Sequence, residues 1–384
     1  MFFFLFLVMT VFFSHTSVKQ FVAVHLFEVG YLGVLAVLPF LVAKPLVGLS
    51  ILAVLAFLSL SAIWRMLTFR CVPNLETRSV LITGCDTGFG HALAKRMASV
   101  GVTVYAGCLN PEGEGAKLLN KASSSENIHI IPLDVTSEES VMNAIDVVKK
   151  KTKDEGLWSL VNNAGVSCLV DVEFCSMDMY KNVTDVNLLG TVRVTKACLP
   201  LIRKGQGRVI NVTSAAICYP YQSAHAMTKA GCDAFSNSLR REMHKFGVRV
   251  ITVEPGNFYG ATGFLNKSTM TGLEKEQELV WEKARPEVKA TYGENYFTGV
   301  QQSLSSFAGT SCNSLGPVVD TLEEAIVSTR PGSRYLVDGS SLLFDVHNVL
   351  LRLGWLIPQQ CVDYILEREF SSSQSPLLKT KKTS

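Results

Sequence analysis

The sequence is poor in the residue patterns that bind metals or cross-link small domains. Its ten cysteines are scattered without a CxxC pair, and its seven histidines form no cluster. That distribution argues against a zinc site and a disulfide framework, and it fits a reducing compartment. An excess of one charge is also missing, because 36 basic and 33 acidic residues leave a net charge of only +3. We therefore expect no metal and no nucleic-acid partner.

Charge is scarcest near the start of the chain. Residues 1–13 are almost wholly apolar, and two further apolar runs span residues 29–42 and 47–63. A helix needs about 20 apolar residues to cross a bilayer, so the last two runs are candidates for a tight helical hairpin. The first run lacks the positive start of a signal peptide. We therefore predict that residues 1–70 form a transmembrane anchor of two or three segments.

Charges beside the predicted anchor and at the C-terminal end of the sequence indicate the cellular compartment. Arg65 and Arg70 follow the last apolar run, which favours the cytosol for what comes next. Residues 371–384 are polar, which predicts a disordered basic tail. Lys381 and Lys382 in its KKTS ending resemble the dilysine retrieval signal of endoplasmic-reticulum membrane proteins, the alternative being a solvated tail. We expect an endoplasmic-reticulum membrane protein whose main domain is cytosolic.

The middle of the chain begins with a strand, a glycine turn and a helix. Ser79–Thr83 is a short β-branched run, which predicts a buried strand. GCDTGFG follows, with glycines at Gly84, Gly88 and Gly90. Glycine permits the tight turn and lets a pyrophosphate approach the backbone, while the following helix offers free N–H groups. The pattern therefore predicts a nucleotide-binding loop.

Further strand-like runs alternate with helical stretches. The runs cover residues 102–106, 128–133, 158–161, 207–212 and 248–253. Such alternation implies βαβ units and a doubly wound parallel sheet in an α/β fold. Most candidate functional residues directly follow a strand, and ligands bind at that edge of such a sheet.

Seven motifs, in this order and spacing, resemble the short-chain dehydrogenase/reductase superfamily. They are TGCDTGFG, LDVT, NNAG, DVNLLGT, NVTS, the lysine Lys229, and EPGNF. Within that superfamily the chain is similar to a group with D-β-hydroxybutyrate dehydrogenase, type 2 hydroxysteroid dehydrogenases and membrane-bound retinol dehydrogenases. The resemblance implies a Rossmann-type sheet, hydride transfer with a nicotinamide cofactor, and pairing of subunits as a homodimer.

The resemblance also implies roles for individual residues. The implied cofactor-binding residues are Gly84, Asp86, Gly88, Phe89, Gly90, Asp134, Val135, Asn162, Ala164, Gly165, Lys229, Pro255, Gly256 and Thr262. The implied catalytic group is Asn187, Ser214, position 225 and Lys229. In the family the asparagine supports a proton-relay water and the serine binds the substrate oxygen. The lysine grips the nicotinamide ribose and lowers the pKa of the acid/base residue.

Cofactor choice depends on charge near the adenine ribose. An acid about 20 residues past the glycine loop would accept bonds from the ribose 2′-hydroxyl, yet the second strand ends in Gly107-Cys108-Leu109. The glycine loop carries no arginine or lysine for a 2′-phosphate, and its Asp86 would repel one. We therefore predict NAD rather than NADP.

Position 225 departs from the family pattern. The family has a tyrosine there, with an ordinary pKa of about 10, and this chain has His225. The spacing of eleven residues from Ser214 is also shorter than usual in the family. Positions 225 and 229 share one face of a helix, so the pairing with Lys229 is preserved.

Three interpretations remain open at this position. In the first, His225 is the acid/base group. An imidazole with a pKa of about 6.5, lowered further by Lys229, is a fair base for alcohol oxidation and a poor acid for carbonyl reduction. In the second, Tyr219 or Tyr221 supplies a hydroxyl from an irregular loop. In the third, the chain is a scaffold that binds nucleotide without normal turnover.

The C-terminal part of the chain favours a lipophilic substrate. Residues 258–300 should carry a mobile loop after the Pro-Gly turn, and residues 342–356 are apolar with few charges. The latter would form a lid or rest on the membrane, which suits a steroid or retinoid better than a small hydroxy acid. We predict an NAD(P)-binding domain over residues 71–330 and a lid or membrane-associated segment over 331–370.

Overall fold

The computed structural model describes residues 71–122, 127–215, 219–262 and 267–340, with isolated positions among residues 53–60 and 358–364. The chain divides into two compact units, Met1–Phe69 and Arg70–Ser384. Apart from isolated positions, the predicted anchor, the apolar segment 342–356 and the tail 371–384 lie outside the described residues. Within the described ranges, no helix has both the length and the apolar character needed to cross a membrane.

Seven parallel strands form a sheet at the centre of the second unit. They are β1 (Ser79–Thr83), β2 (Thr103–Cys108), β3 (Ile128–Pro132), β4 (Ser159–Asn162), β5 (Arg208–Val212), β6 (Arg249–Pro255) and β7 (Arg334–Val337). Their order is β3-β2-β1-β4-β5-β6-β7, and every neighbouring pair is parallel. The order reverses between β1 and β4, which is a topological switch point. The predicted α/β fold with a doubly wound parallel sheet is confirmed.

Helices connect the strands and cover the sheet. The described helices are α1 (Gly88–Ser99), α2 (Glu114–Ala122), α3 (Glu138–Thr152), α4 (Met177–Thr184), α5 (Thr191–Lys204), α6 (Ser223–Met243), α7 (Tyr259–Thr262), α8 (Lys267–Lys283), α9 (Pro286–Tyr292), α10 (Tyr296–Gly309) and α11 (Gly316–Val327). A π-helical segment, Asp185–Gly190, joins α4 to α5.

The central strands β1, β4 and β5 are buried on both faces, which explains why they form continuous apolar runs in the sequence. All five residues of β1 are buried. One core cluster joins the sheet to α1 and α11 through Met97 and Leu322. Another joins the opposite face to α3 and α5 through Val148 and Ile202. These two layers hold the strand ends in fixed positions.

A third core cluster packs helices that follow the Pro-Gly turn against residues 168–183. Phe174 packs its ring against Tyr292 and Phe297, with centroid distances of 4.9 and 5.0 Å. Where the structure describes residues 258–300, they form α7, α8, α9 and the start of α10, and the mobility of this stretch stays a prediction. Its aromatic side chains are buried against one another, which favours packed helices over a loop.

Candidate active site

A cavity of about 300 Å³ opens at the carboxyl ends of the central strands, beside the switch point between β1 and β4. The predicted site residues that line it are Gly84, Asp86, Gly88, Phe89, Asp134, Val135, Ala164, Gly165, Ser214, His225, Lys229, Pro255, Gly256 and Thr262. Gly90, Asn162 and Asn187 lie behind its wall. The fold thus brings the glycine loop, the strand ends and α6 to one place.

Close packing explains two glycines of the loop. Gly84 has a φ of +70°, and a Cβ there would lie 2.8 Å from the Cα of Ala164. A Cβ on Gly90 would lie 2.3 Å from the carbonyl oxygen of Gly84. Gly88 begins α1, and the preceding Thr87 makes no capping hydrogen bond with its side chain. The N–H groups of the first turn of α1 are therefore available to an anion.

Asp86 lies at the end of β2, although it belongs to the glycine loop. Its carboxylate accepts hydrogen bonds from the backbone N–H groups of Leu109 at 3.0 Å and Asn110 at 2.9 Å. A Cβ on Gly115 would lie 1.9 Å from the Asp86 carbonyl oxygen, so the start of α2 packs tightly onto the loop. The loop therefore supplies a carboxylate at the point where β2 itself has none.

Asp134 and Val135 follow β3 on the same side of the cavity. The Asp134 carboxylate accepts hydrogen bonds from the N–H of Thr136 at 2.9 Å and from its hydroxyl at 2.7 Å. The guanidinium of Arg193 donates to the Val135 carbonyl at 2.5 Å. These contacts order the turn after β3 and fix both residues at the cavity wall.

The two asparagines of the NNAG motif have different positions. Asn162 is 4% exposed, and its amide donates to the hydroxyl of Thr195 at 2.9 Å and to the side-chain oxygen of Asn211 at 2.8 Å. It thereby ties β4 to α5 and β5. Asn163 lines the cavity, and its amide donates to the Gly84 carbonyl at 3.1 Å. Sequence reasoning missed Asn163, for which the shared motif was the available signal.

The π-helical segment places Asn187 directly behind the cavity wall. Its Oδ1 accepts from the N–H of Val166 at 2.8 Å, and its amide donates to the hydroxyl of Thr228 at 3.1 Å. A Cβ on Gly165 would lie 3.4 Å from Asn187 Oδ1 and 3.7 Å from Lys229 Nζ. The two polar atoms therefore flank one point on the wall.

Helix α6 presents Lys229 and His225 to the cavity, one helical turn apart. The Lys229 Nζ donates to the Val212 carbonyl at 2.8 Å, and burial lowers the pKa of this ammonium. His225 is 9% exposed. Burial, together with the smaller effect of the Lys229 charge, lowers the pKa of His225 to about 3. His225 is therefore uncharged at neutral pH.

Nothing in the described part of the chain fixes the tautomer of His225. Its Nδ1 is buried and has no hydrogen-bond partner among the described residues. A hydrogen bond to one ring nitrogen normally determines which nitrogen carries the proton. Both tautomers of the neutral ring are therefore accessible, and only one of them offers a given nitrogen as a proton acceptor.

Neither tyrosine just before His225 is among the described residues that line the cavity. Tyr219 packs against the ring of Phe307 at 5.0 Å, and Tyr221 belongs to the third core cluster. Tyr259 is a lining residue, and its hydroxyl donates to Gln222 Oε1 at 2.7 Å. Burial raises the pKa of Tyr259, so the phenol stays uncharged. Its place directly after EPGNF was the only signal for it in the sequence.

The sheet order, the glycine loop and the cavity position are those of a dinucleotide-binding α/β protein. A family model described as short chain dehydrogenase matches residues 78–270. The chain belongs to this family of oxidoreductases, as its motifs predicted.

The names of three relatives of this chain indicate different substrates. D-beta-hydroxybutyrate dehydrogenase, mitochondrial, from Bos taurus is 42% identical over 69% of this chain and 78% of its own length. Estradiol 17-beta-dehydrogenase 2 from Mus musculus is 34% identical over 86% of each chain. Retinol dehydrogenase 7 from Mus musculus is 36% identical over 76% of this chain and 91% of its own.

Proposed function

We propose that this protein is a membrane-tethered dehydrogenase of the endoplasmic reticulum that uses NAD to oxidise a secondary alcohol of a lipophilic substrate, such as a steroid or retinoid. The observation that carries the proposal is the pairing of His225 with Lys229 in one cavity with the glycine loop. In the family, the residue at this place handles the proton of the substrate alcohol.

The residues of the cavity fit a dinucleotide. The uncapped start of α1 and the loop from Gly84 to Gly88 form a cradle for a diphosphate. Lys229 would bind the nicotinamide ribose, and Gly165 leaves room beside it. When bound, NAD would accept a hydride from the carbinol carbon of the substrate.

The position of Asp86 supports NAD over NADP. Its carboxylate is held at the end of β2, where an adenine ribose binds in this type of sheet. Among the described residues that line the cavity, His225 and Lys229 are the only basic side chains, and both belong to α6. A 2′-phosphate near Asp86 would therefore meet a negative charge without a neutralising partner.

His225 is suited to accept a proton rather than to donate one. The neutral ring has a free lone pair at neutral pH, because its pKa is about 3. The same low pKa makes the imidazolium costly to form, so His225 is also a weak base. Oxidation, which requires a proton acceptor, is therefore the favoured direction, and we expect slow turnover.

The charges at the cavity favour a neutral substrate. A hydroxy acid needs a cation for its carboxylate, and Lys229, which would bind the nicotinamide ribose, is the one lysine or arginine among the described residues that line the cavity. Two relatives are named for lipophilic alcohols, estradiol and retinol. The apolar N-terminal runs favour the same class, because a membrane concentrates such molecules.

The test is NADH formation by the full chain with a panel of steroid alcohols, retinol and hydroxybutyrate. We expect activity with a lipophilic alcohol and its loss in Lys229→Ala and His225→Ala, by at least about 100-fold, the usual contribution of a general base. Tyr221→Phe, outside the cavity, is the matched control and should keep activity. Unchanged turnover in His225→Ala would overturn the proposed role.

The cofactor preference is tested separately by binding of NAD and NADP. We expect wild type to prefer NAD and Asp86→Asn to gain affinity for NADP by about fivefold, since removing one nearby charge is worth about 1 kcal/mol. Thr136→Val, which perturbs the neighbouring turn without changing charge, should leave the ratio unaltered. An NADP preference in wild type would contradict this part of the proposal.

A second candidate function is a nucleotide-binding scaffold without turnover. The observation that favours it is the unpartnered Nδ1 of His225, which leaves the tautomer unfixed in the described part of the chain. This candidate predicts tight NAD binding, no NADH formation with any substrate, and recovery of activity in His225→Tyr. Wild-type turnover that exceeds that of His225→Tyr would exclude it.

A further inference from the structure

The edge of the sheet opposite the cavity carries many exposed cations. Parallel strands begin at this edge, and the helices that cover them end there. The exposed cations at the ends of α3 and α5 and around the turn after α6 are Lys149, Lys150, Lys151, Lys153, Arg203, Lys204, Arg241, Lys245 and Arg249. The exposed acids on the same segments are Asp154, Glu155 and Glu242. We call this surface the basic edge.

Side-chain contacts make the basic edge one continuous surface. The Lys204 ammonium pairs with Asp154 at 2.9 Å, which joins α5 to the end of α3. The Arg203 guanidinium and the Lys245 ammonium lie over the ring of Phe246, at 5.3 and 5.2 Å from its centroid. Phe246 is 42% exposed. A large apolar ring therefore stands among the cations.

Most of this charge has no ion-pair partner among the residues that the structure describes. Among the ion pairs between described residues, only Lys204–Asp154 lies on the basic edge. The remaining cations face solvent and add up to a positive field, which extends about 10 Å at roughly 0.1 M salt. Such a surface attracts an extended anionic partner.

The chain enters this unit beside the basic edge. Cys71 pairs with Ser328 in an antiparallel bridge just after α11. Arg249 of the basic edge donates a hydrogen bond to the carbonyl of Thr329 at 2.6 Å. The sequence before Cys71 contains the long apolar runs of the predicted anchor. The segment that leads from those runs is thus joined to this unit beside the basic edge.

We propose that the basic edge docks onto anionic lipid headgroups of the membrane that tethers the chain. Anionic headgroups attract lysines and arginines next to a membrane segment, and an exposed phenylalanine can enter the boundary between headgroups and acyl chains. Phe246 favours lipid over nucleic acid, since a lipid surface offers an apolar layer. The proposal takes from the proposed function only the tether, and it does not depend on hydride transfer.

Lysine acetylation of the full chain tests the proposal. The chain is reconstituted in phosphatidylcholine vesicles with or without about 30% phosphatidylserine, an anionic lipid. We expect acetylation at Lys149, Lys150, Lys151 and Lys245 to slow by at least about threefold in the anionic vesicles, as headgroups cover these amines. The exposed Lys275 and Lys283 of α8 should react at the same rate in both. Salt at about 1 M, with a Debye length of about 3 Å, should abolish the protection.

Charge-reversal variants provide a matched comparison. Lys150→Glu combined with Lys245→Glu should remove the protection of Lys149 and Lys151, whereas Lys275→Glu combined with Lys283→Glu should preserve it. Equal acetylation in neutral and anionic vesicles would overturn the proposal. Equal protection in detergent would do the same, since it would indicate contact with a second copy. If the chain floats with anionic vesicles but not with neutral ones, the result would contradict the predicted membrane anchor and would support lipid binding by the basic edge.

Discussion

At the scale of single residues, burial governs the chemistry of position 225. His225 lies in the wall of the cavity with 9% of its surface exposed, and desolvation contributes more to its low pKa than the Lys229 charge does. A phenol at this place loses its charge when protonated, so burial affects the acid form of a tyrosine little. An imidazole gains its charge when protonated, and burial opposes that step. Replacing tyrosine with histidine therefore reverses the effect of burial, which favours the protonated form of a phenol and disfavours the protonated form of an imidazole.

The buried histidine makes stability depend on pH. The unfolded imidazole binds a proton below about pH 6.5, whereas the folded one does so only near 3. Above about pH 6.5 the ring is neutral in both states, so its burial does not lower the free energy of unfolding. Between about pH 6.5 and pH 3 the free energy of unfolding falls, by up to about 1.4 kcal/mol per pH unit. We expect His225→Gln to reduce this slope in urea unfolding of the full chain at a series of pH values.

The exposed His244 provides the control for that measurement. His244→Gln should retain the wild-type dependence on pH, because an exposed ring keeps its water in the folded state. Identical slopes for wild type and His225→Gln would mean that the ring is hydrated, contrary to its burial.

At the scale of elements, the glycine loop is shaped by packing as much as by ligand access. Gly90 sits where α1 crosses the end of β1, and the space for a side chain is filled by the Gly84 carbonyl and the amide of Asn163. Backbone atoms cannot move aside as a flexible side chain can. The third glycine is therefore a requirement of the helix-to-strand contact, and it positions the N-terminus of α1 at the cavity.

A methyl group at Gly90 tests this account. Gly90→Ala would place Cβ 2.3 Å from the Gly84 carbonyl oxygen, and we expect a loss of about 1–3 kcal/mol in the free energy of unfolding from overpacking. Gly272→Ala in α8, where no heavy atom lies within 4 Å of the new Cβ, should be neutral or stabilise by up to about 1 kcal/mol. Urea unfolding of both variants makes the comparison. A Gly90→Ala variant as stable as wild type would show that the loop can shift.

At the scale of the whole molecule, a buried arginine links the sheet to α11. Arg208 is 2% exposed, and its Nη1 donates to the carbonyls of Ala325 at 2.7 Å and Ser328 at 2.9 Å. Its guanidinium lies over the ring of Trp158 at 4.2 Å. The Trp158 indole donates to the Ile326 carbonyl at 3.0 Å. Trp158, directly before β4, and Arg208, the first residue of β5, thus satisfy the carbonyls that α11 leaves open at its end.

Arg208→Met should therefore loosen the C-terminal part of the fold. It leaves two buried carbonyls without donors, and we expect a loss of about 2–4 kcal/mol in urea unfolding. Arg249→Met removes a comparable bond at an exposed position and should cost less than about 1 kcal/mol. Proteolysis should cut near α11 faster in the first variant only. Equal stability of the two variants would contradict this role for Arg208.

What the sequence by itself determined is local in origin. Three local patterns depend only on near neighbours in the sequence. Apolar runs of strand length specified the sheet, and the glycines at 84, 88 and 90 specified the loop. The four-residue interval from position 225 to Lys229 specified one face of α6. These features yielded the α/β fold and most of the residues that line the cavity. The strand β7, which has only four residues, was too short to be recognised.

Tertiary structure alone decided the contacts between distant segments. Asp86 reaches the end of β2, Asn163 instead of Asn162 faces the cavity, and Tyr259 meets Gln222 across 37 positions of sequence. The burial that holds His225 uncharged likewise comes from the elements packed around it, and no spacing encodes it. Desolvation and side-chain direction depend on which surfaces meet after folding, so only the packed chain defines them.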